Sequence, residues 1–300
     1  MNPGSESVTE RIPAEQRLIG AHMPTAGGLY KSLAGGSEIG CTAVQLFTCS
    51  PRQWFHSALK QPDVEAFLQA KKDTGITFTA AHDSYLINLA APSEEILSKS
   101  QRAFRSELDR ADALQINWLV THMGAHLDQG EDEALDRLAE SLRTILKETD
   151  EAGVTTGIAL ETTAGQGTGL GWRFEQLGRI LQAAGPHPRL GVCLDTCHIF
   201  VAGYDLRTPD AYEETWDQFE RHIGRDVLKL IHANDAKKGL GSRVDRHEHI
   251  GQGEIGEAGF RLLMQDTRLQ HVPVIVETPD SDTMHEVNVA ALRKYAEVDA

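Results

Sequence analysis

Eight short apolar segments are spaced along the 300-residue chain, and each has the length and composition of a buried parallel strand. Amphipathic segments with helical periodicity separate most of them, although residues 28–40, GLYKSLAGGSEIG, favour a loop-rich connection before the second strand. The predicted strands cover residues 17–22, 43–48, 77–82, 117–122, 156–161, 190–195, 228–233 and 272–277. Strand and helix alternating eight times predicts an α/β fold with a single (β/α)8 TIM barrel over residues 17–300.

The remaining N-terminal residues, 1–16, read MNPGSESVTERIPAEQ and predict a polar, mobile tail with no secretory signal. No apolar run approaches the roughly 20 residues needed to span a bilayer, so no membrane partner is expected. The four cysteines (41, 49, 193 and 197) are too few for a disulfide framework and form no CxxC pair. We therefore expect a cytoplasmic protein, and we expect it to be a monomer.

Seven of the eight predicted strands carry a histidine, aspartate or glutamate at or beside their C-terminal ends. These residues are His22, His82, His122, Glu161, Asp195, His232 and Glu277. In a (β/α)8 barrel all these ends meet at one mouth, where active sites are built. One such residue alone is more often a helix cap or a hydrogen-bonded core group, and Asp195 in LDTCH suits an N-cap. Seven together would crowd like charges, so their convergence predicts a metal site at the C-terminal mouth of the strands.

Two loop motifs enlarge this set of candidate ligands. Asp195 and His198 form a D-x-x-H turn after the sixth strand, and Asp245 and His247 lie together in SRVDRHEH. All the donors are imidazoles and carboxylates, which suit Zn²⁺ and also Mn²⁺ or Fe²⁺. Cys193 shares the inward parity of Asp195 and is expected to pack inside the barrel. Because several adjacent metals stabilise both the attacking and the departing oxygen of a phosphate, the ligand inventory predicts metal-assisted hydrolysis.

Five sequence blocks resemble the endonuclease IV family, the apurinic/apyrimidinic endonucleases of base-excision repair. They are AHDSYLINLA (81–90), LETTAGQGTGLG (160–171), GVCLDTCHIFVAGYDLRTP (191–209), HANDAKKGLGSRVDRHEHIGQGEIG (232–256) and VETP (276–279). The resemblance runs from Gly20 to about Glu277. It departs at Met123, where the family usually has a proline after a ligand histidine, and at Met23-Pro24-Thr25, which replace smaller residues.

The resemblance implies a TIM barrel with three zinc ions per chain. Its ligand pattern assigns His82, His122 and Glu161 to the first zinc. It assigns Glu161, Asp195, His232 and Glu277 to the second, and His198, Asp245 and His247 to the third. Glu161, which bridges two metals in this pattern, is the catalytic residue, and His22 has no ligand role. The implied DNA-opening residues are Arg52, Tyr85 and Leu86.

The implied activity is hydrolysis of the phosphodiester 5′ to an abasic site, which leaves a 3′-hydroxyl and a 5′-deoxyribose phosphate. The expected partner is duplex DNA with abasic sites or blocked 3′ ends. The chain has 29 basic and 44 acidic residues, a formal charge of −15, which alone argues against a nucleic-acid partner. We therefore expect a local positive field from the metals and nearby basic residues, namely Arg52, Arg173, Lys237, Lys238, Arg243 and Arg246.

Two alternatives remain open. A metal-dependent sugar isomerase or epimerase on the same barrel would also use Glu, Asp and His at strand ends. Such a site generally needs one or two metals, which leaves His198, Asp245 and His247 without a role, and no lysine ends a strand as a base. A non-cleaving protein that binds abasic DNA is the second alternative, and it would bind a damaged duplex and leave it intact.

Overall fold

The computed structural model of the chain describes residues 11–127 and 129–297. Eight parallel strands close into a barrel in the order β1-β10-β7-β6-β5-β4-β3-β2. They are β1 (Ile19–His22), β2 (Ala43–Leu46), β3 (Phe78–His82), β4 (Trp118–His122), β5 (Gly157–Glu161), β6 (Leu190–Asp195), β7 (Leu228–His232) and β10 (Val274–Val276). A short antiparallel pair, β8 (Asp235–Ala236) and β9 (His247–Glu248), lies in the connection before β10. Every barrel strand falls within its predicted segment, which confirms the (β/α)8 fold.

Helices cover the outside of the barrel. They are α1 (Tyr30–Glu38), α2 (Gln61–Thr74), α3 (Glu94–Ala113), α4 (Glu131–Glu151), α5 (Phe174–Ala184), α6 (Thr196–Ala202), α7 (Pro209–His222), α8 (Gly256–Gln265) and α9 (Ser281–Ala296). The prediction of a loop-rich segment over residues 28–40 was wrong, because α1 occupies most of it. A Cβ atom on Gly36 would lie 2.6 Å from Cγ2 of Val44. The glycines that weaken the helix signal therefore let α1 pack closely against β2.

The N-terminal segment is attached to the barrel as far as it is described. Residues 1–10 of the expected tail lie outside the described residues. The amide of Ile12 donates to Oε1 of Gln270 at 2.8 Å, and the Arg11 guanidinium donates to the carbonyl of Gln265 at 3.1 Å. These two hydrogen bonds join residues 11 and 12 to the barrel, and the mobility expected of the tail stays a prediction. Within the described ranges, no helix is both long enough and apolar enough to cross a membrane.

The inside of the barrel holds two sets of side chains at different heights. The interior set, buried and apolar apart from one glycine, consists of Gly20, Ala43, Ala80, Val120, Ala159, Cys193, Leu230 and Ile275. Two residues further along each strand lies the mouth set, whose members are all polar: His22, Gln45, His82, His122, Glu161, Asp195, His232 and Glu277. Because alternate residues of a strand share one face, the mouth set lies directly above the interior set. The interior set therefore fills the barrel with apolar packing, and the mouth set presents polar side chains at its open end.

Glycine is required at one member of the interior set. A Cβ atom on Gly20 would lie 1.6 Å from the carbonyl oxygen of Ala43, to which β1 is paired. Cys193 points into this set, and its neighbours Val192 and Leu194 belong to the core between strands and helices. The inward orientation expected for Cys193 is thereby confirmed.

Candidate metal centre

The structure brings all nine expected ligand residues to the mouth of the barrel. They form three groups, and within each group the potential ligand atoms lie within 4.8 Å of one another. The groups are His82 with His122 and Glu161; Glu161 with Asp195, His232 and Glu277; and His198 with Asp245 and His247. Glu161 belongs to two of them. This grouping is the same as the ligand pattern implied by the sequence blocks.

Glu161 lies fully buried at the centre of the mouth set. Its Oε2 atom is 3.0 Å from Nε2 of His82 and 3.1 Å from Nε2 of His122. The other oxygen, Oε1, is 3.0 Å from Nδ1 of His232. Burial opposes the charged form, but the neighbouring His232 and His122 outweigh it and hold the pKa of Glu161 well below its ordinary value. The side chain is therefore a carboxylate whose two oxygens face different ligand groups, as a bridging ligand requires.

Backbone carbonyls orient three of the histidines. The Nδ1 atom of His82 is 3.0 Å from the carbonyl of Asp83, and that of His198 is 2.8 Å from the carbonyl of Thr162. The Nδ1 atom of His247 is 3.1 Å from the carbonyl of Glu277. A neutral imidazole in this position donates Nδ1–H to the carbonyl, which leaves the Nε2 lone pair facing the centre. These three side chains are thus prepared as Nε2 ligands.

Gln45 orients His232 in the opposite sense. Its Oε1 atom lies 2.8 Å from Nε2 of His232, and its amide nitrogen donates to Oε1 of Glu277 at 2.5 Å. The second contact of that Glu277 oxygen is Nδ1 of His22, at 3.0 Å. Nε2–H of His232 therefore points at Gln45, and its Nδ1 atom faces Glu161 and Glu277, where its lone pair would be available to a metal once Nδ1 is deprotonated. Sequence reasoning missed Gln45, although its place as the inward residue at the end of β2 could have identified it.

The third group tests whether the donors suit a metal ion. The Nε2 atoms of His198 and His247 lie 3.2 and 3.3 Å from the two carboxylate oxygens of Asp245. Both nitrogens are buried, and within the described residues Asp245 is the group they face, without a well-aligned hydrogen bond. Burial opposes ionisation of Asp245, but His198 and His247 outweigh it and lower its pKa to about 2. Buried nitrogen and oxygen donors that converge on one point with poorly aligned hydrogen bonds are what a cation satisfies, so the donor set fits a metal.

Asp195 acts as a helix cap and a mouth residue together. Its Oδ1 accepts the backbone N–H of His198 at 2.9 Å, which caps the start of α6. Its Oδ2 accepts from the Asn234 amide at 2.7 Å and lies 3.8 Å from Nε2 of His247. Thr162 ties the same region together, because its hydroxyl accepts the amide of Asp195 at 2.8 Å. The cap and the candidate ligand, which the sequence presented as rival interpretations, are one residue.

Cysteine thiols lie beside two of the ligand groups. Cys193 comes close to Glu161 and His232, and Cys197 comes close to Asp195 and His247. Burial raises the pKa of Cys193 to about 12 and raises the pKa of Cys197 strongly as well. Since the thiolate is the form that binds metals, these protonated thiols are packing residues.

The open side of the mouth is a cavity of about 510 Å³, lined by members of all three groups. Tyr85 stands at its edge with 64% of its surface exposed, and its ring meets Phe47 edge-on at 5.7 Å. Arg52 is exposed and Leu86 is half-buried. The amide of Tyr85 donates to the carbonyl of Pro51 at 3.2 Å, so the loops after β2 and β3 adjoin. Tyr85 thus lines the cavity, Leu86 lines the pocket that adjoins it, and Arg52 lies in the neighbouring loop after β2.

Met123, where the chain departs from the family pattern, is fully buried behind His122. A Cβ atom on Gly171 would lie 1.7 Å from Cε of Met123, so the methionine packs directly on the loop after β5. The space next to His122 is therefore filled by an apolar side chain.

Comparisons with known proteins agree with this architecture. A family profile described as xylose isomerase-like TIM barrel matches residues 34–295. Probable endonuclease 4 from Chloroflexus aggregans is 49% identical over 284 residues, which cover 94% of this chain and 99% of the relative. The crystal structure of endonuclease IV from Thermus thermophilus has a TM-score of 0.81 at 34% identity, covering 93% of this chain and 98% of that one.

Sugar-converting enzymes share only the fold. The crystal structure of a D-tagatose 3-epimerase-like protein has a TM-score of 0.70 at 19% identity, covering 92% of this chain and 96% of that one. The endonuclease relatives are 49% and 34% identical to this chain over nearly their whole length, which is enough to show common family membership. The chain therefore belongs to the endonuclease IV family, within the xylose isomerase-like TIM barrels, and is an enzyme of that family.

Proposed function

We propose that this protein is an apurinic/apyrimidinic endonuclease that hydrolyses the phosphodiester 5′ to abasic sites in duplex DNA. The products would be a 3′-hydroxyl and a 5′-deoxyribose phosphate. The observation that carries this proposal is the convergence of three ligand groups on one open mouth, with Glu161 shared by two of them. The relatives named endonuclease 4 support DNA as the substrate.

We further propose three zinc ions per chain, one for each ligand group, with Mn²⁺ or Fe²⁺ able to replace zinc in part. When bound, these metals would supply Lewis-acid stabilisation of the phosphate and a strong oxygen nucleophile at neutral pH. The oxygen and nitrogen donors, and the two buried ring nitrogens that face Asp245 without a well-aligned hydrogen bond, support this assignment.

The chain's own side chains have holding and orienting roles in this mechanism. Glu161 keeps two ligand groups at a fixed separation, because its buried carboxylate contacts histidines from β3, β4 and β7. The carbonyl of Thr162 and the amide of Gln45 fix the tautomers of His198 and His232. A rigid centre of this kind needs no nucleophilic side chain, and catalysis follows from positioning and electrostatic stabilisation.

Arg52, Tyr85 and Leu86 are proposed to open the duplex. An exposed aromatic ring and a neighbouring apolar side chain at the cavity edge suit the gap that an extruded nucleotide leaves in the stack. Arg52 would add a contact to the phosphate backbone. Action on blocked 3′ ends, a monomeric state and a cytoplasmic location stay predictions.

The decisive experiment incubates the protein with a duplex that carries one abasic site, with and without prolonged chelation. We expect one incision 5′ to the abasic site, its loss after chelation and its return when zinc is restored. The same duplex without the lesion is the control, and elemental analysis should give about three metals per chain. A metal-loaded protein that binds the damaged duplex and leaves it intact would be a damage-binding protein. Conversion of ketoses without any incision would indicate the isomerase.

A further inference from the structure

We propose that Trp172 and Arg243 form a binding site for a backbone phosphate of duplex DNA, beside the pocket that Tyr85 and Leu86 line. This inference rests on the proposed function, because it assigns a contact to the same substrate. Trp172 lies in the loop after β5, and Arg243 lies in the loop between β8 and β9. Both loops leave the carboxyl ends of barrel strands and therefore border the mouth.

The Arg243 guanidinium stacks on the indole ring. Its Cζ atom lies 3.8 Å from the centroid of the Trp172 ring, within the range of a cation–π contact. Arg173, whose guanidinium is 5.1 Å from the same ring, pairs with the carboxylate of Glu131. Arg243 has no ion pair with any carboxylate in the described parts of the chain, and it is exposed. Its charge is thus available to an external anion.

The backbone at Arg243 is held in a conformation that its side chain does not favour. Its φ angle is +55°, in the left-handed region that non-glycine residues rarely adopt. Its amide donates to the carbonyl of Val201 at 2.9 Å, and the amide of Gly241 donates to the carbonyl of Phe200 at 3.2 Å. These bonds fix the loop to α6, the helix that carries His198. An arginine kept at such a position, two residues before Asp245, points to a role for its side chain.

The pair borders the pocket that Tyr85 and Leu86 line beside the metal centre. Gly165 lines the same pocket, and a Cβ atom there would lie 2.8 Å from Cγ of Trp172, so the indole packs behind its wall. A DNA backbone held against Tyr85 and Leu86 would pass this wall, where Arg243 presents its charge.

The chemistry of the pair matches a phosphodiester. A guanidinium presents its N–H donors in one plane, and a stacked guanidinium keeps its edge free for two phosphate oxygens. The indole restricts the rotamers of Arg243 before binding, so less conformational entropy is lost on contact. Such a cation is needed here, since the chain has a formal charge of −15 and the mouth itself holds several carboxylates.

Arg243→Gly is the primary test, because glycine accepts the +55° backbone and removes only the side chain. Binding of metal-loaded protein to the nicked product duplex, which cannot be cut again, would be followed by fluorescence anisotropy at several salt concentrations. We expect a melting temperature equal to or above that of the wild type and an affinity about tenfold lower. The slope of log K against log salt should be shallower by about 1.

Two further variants separate stacking from charge. Trp172→Leu keeps the Arg243 guanidinium but removes the ring on which it stacks. The salt slope should be retained, and the affinity should fall about two- to tenfold because the side chain is no longer held in place before binding. Lys229→Ala is the matched control, because it removes a cation 5.7 Å from the ring of Trp118 at the closed end of the barrel. Its affinity for DNA should equal that of the wild type.

Unchanged affinity and slope in Arg243→Gly would overturn the inference, as would an equal loss of affinity in Lys229→Ala. Unchanged affinity in Trp172→Leu would show that the indole does not contribute to the site. Failure of the proposed function is distinguishable, because it would appear as wild-type protein that does not cut the abasic duplex.

Discussion

The interior set and the mouth set lie two residues apart on the same eight strands, yet they have opposite character. In the interior set the side chains are small or aliphatic and fully buried, as at Ala80, Val120 and Ala159. In the mouth set the next inward residues on those strands are His82, His122 and Glu161. The backbone hydrogen bonds of both sets are those of one continuous parallel barrel. A distance of two residues along each strand thus separates the side chains that pack the barrel from those that can bind a ligand.

This difference shows how the barrel tolerates a costly site. Crowded carboxylates and histidines raise the free energy of the folded state unless cations compensate them. The apolar interior set, together with the core under the helices, supplies stability that does not depend on the metals. Stability and catalysis should therefore respond to different substitutions at neighbouring positions of one strand.

The largest effect should come from the mouth set, at Glu161. Glu161→Gln replaces the carboxylate that two ligand groups share by a neutral amide, so metal content should fall and the cleavage rate should drop by at least about 100-fold. The fold and most of the duplex affinity should remain. Elemental analysis, single-turnover cleavage and anisotropy measure the three quantities.

Glu107→Gln is the matched control for that variant. Burial raises the pKa of the Glu107 carboxyl to about 8, so it is mostly uncharged at neutral pH and an amide resembles it. Metal content and rate should be near those of the wild type. Near-normal cleavage by Glu161→Gln would show that Glu161 is not a bridge.

The rim above the mouth set should affect DNA binding alone. Replacing Tyr85 and Leu86 together by Ala should cost about 1–3 kcal/mol for each lost base contact, with the metals retained. Cleavage of the abasic duplex should fall accordingly, while hydrolysis of a small phosphodiester such as bis-(p-nitrophenyl) phosphate stays near normal. Equal losses on both substrates would mean that these residues support the metal centre.

The charge of the mouth set predicts a pH dependence of metal affinity. Burial disfavours the charged imidazole of His82, but Glu161 outweighs it and raises its pKa to about 9. Burial also opposes the charged form of His232, but nearby Glu277 and Glu161 outweigh it and hold its pKa well above the ordinary value. Protons therefore occupy ligand nitrogens at neutral pH and must leave when a metal binds.

Zinc affinity should consequently rise with pH up to about 9 and fall about tenfold per pH unit below it for each proton displaced. Competition with a chelator of known protonation constants, at several pH values, measures this dependence. An affinity that is constant, or that increases on acidification, would contradict the charge state described for the mouth set.

The smallest effect on activity should come from the interior set. Val120→Ala, two residues below His122, should lower the free energy of unfolding by roughly 1–3 kcal/mol and leave metal content and cleavage unchanged. Val64→Ala on α2, where the valine is only partly buried, is the control and should cost less. Loss of metals in Val120→Ala at a temperature where it stays folded would show that the two sets are not independent.

The positions of the strands and of the mouth could be predicted from the sequence. Each strand segment is largely apolar, seven of the eight carry a potential ligand at or beside the C-terminal end, and in a (β/α)8 barrel these ends meet at one mouth. The segments around His82, His122 and Glu161 indicated both the strand and the end that points to the mouth. The nine candidate ligands followed from these ends and from two short loop motifs.

Other features depend on contacts between distant segments. Helix α1 was not predicted because Gly36 lowers the helix propensity of its segment. The reason for that glycine, its close packing against Val44, is visible only in the structure. Gln45 looks like an ordinary polar strand residue until its amide is seen between His232 and Glu277. The stack of Arg243 on Trp172 joins two loops about 70 residues apart, and no local pattern encodes it.

The double role of Asp195 constrains how this centre could change over generations. A substitution that removes both side-chain oxygens would take a ligand from the second group and also release the start of α6, on which His198 of the third group is carried. Such a substitution would disturb both groups at once. Asp245 and His247 lie outside any helix, so a substitution in their loop would remove ligands of the third group without disturbing the start of a helix. Loss of the third group is therefore the change that this fold would tolerate best.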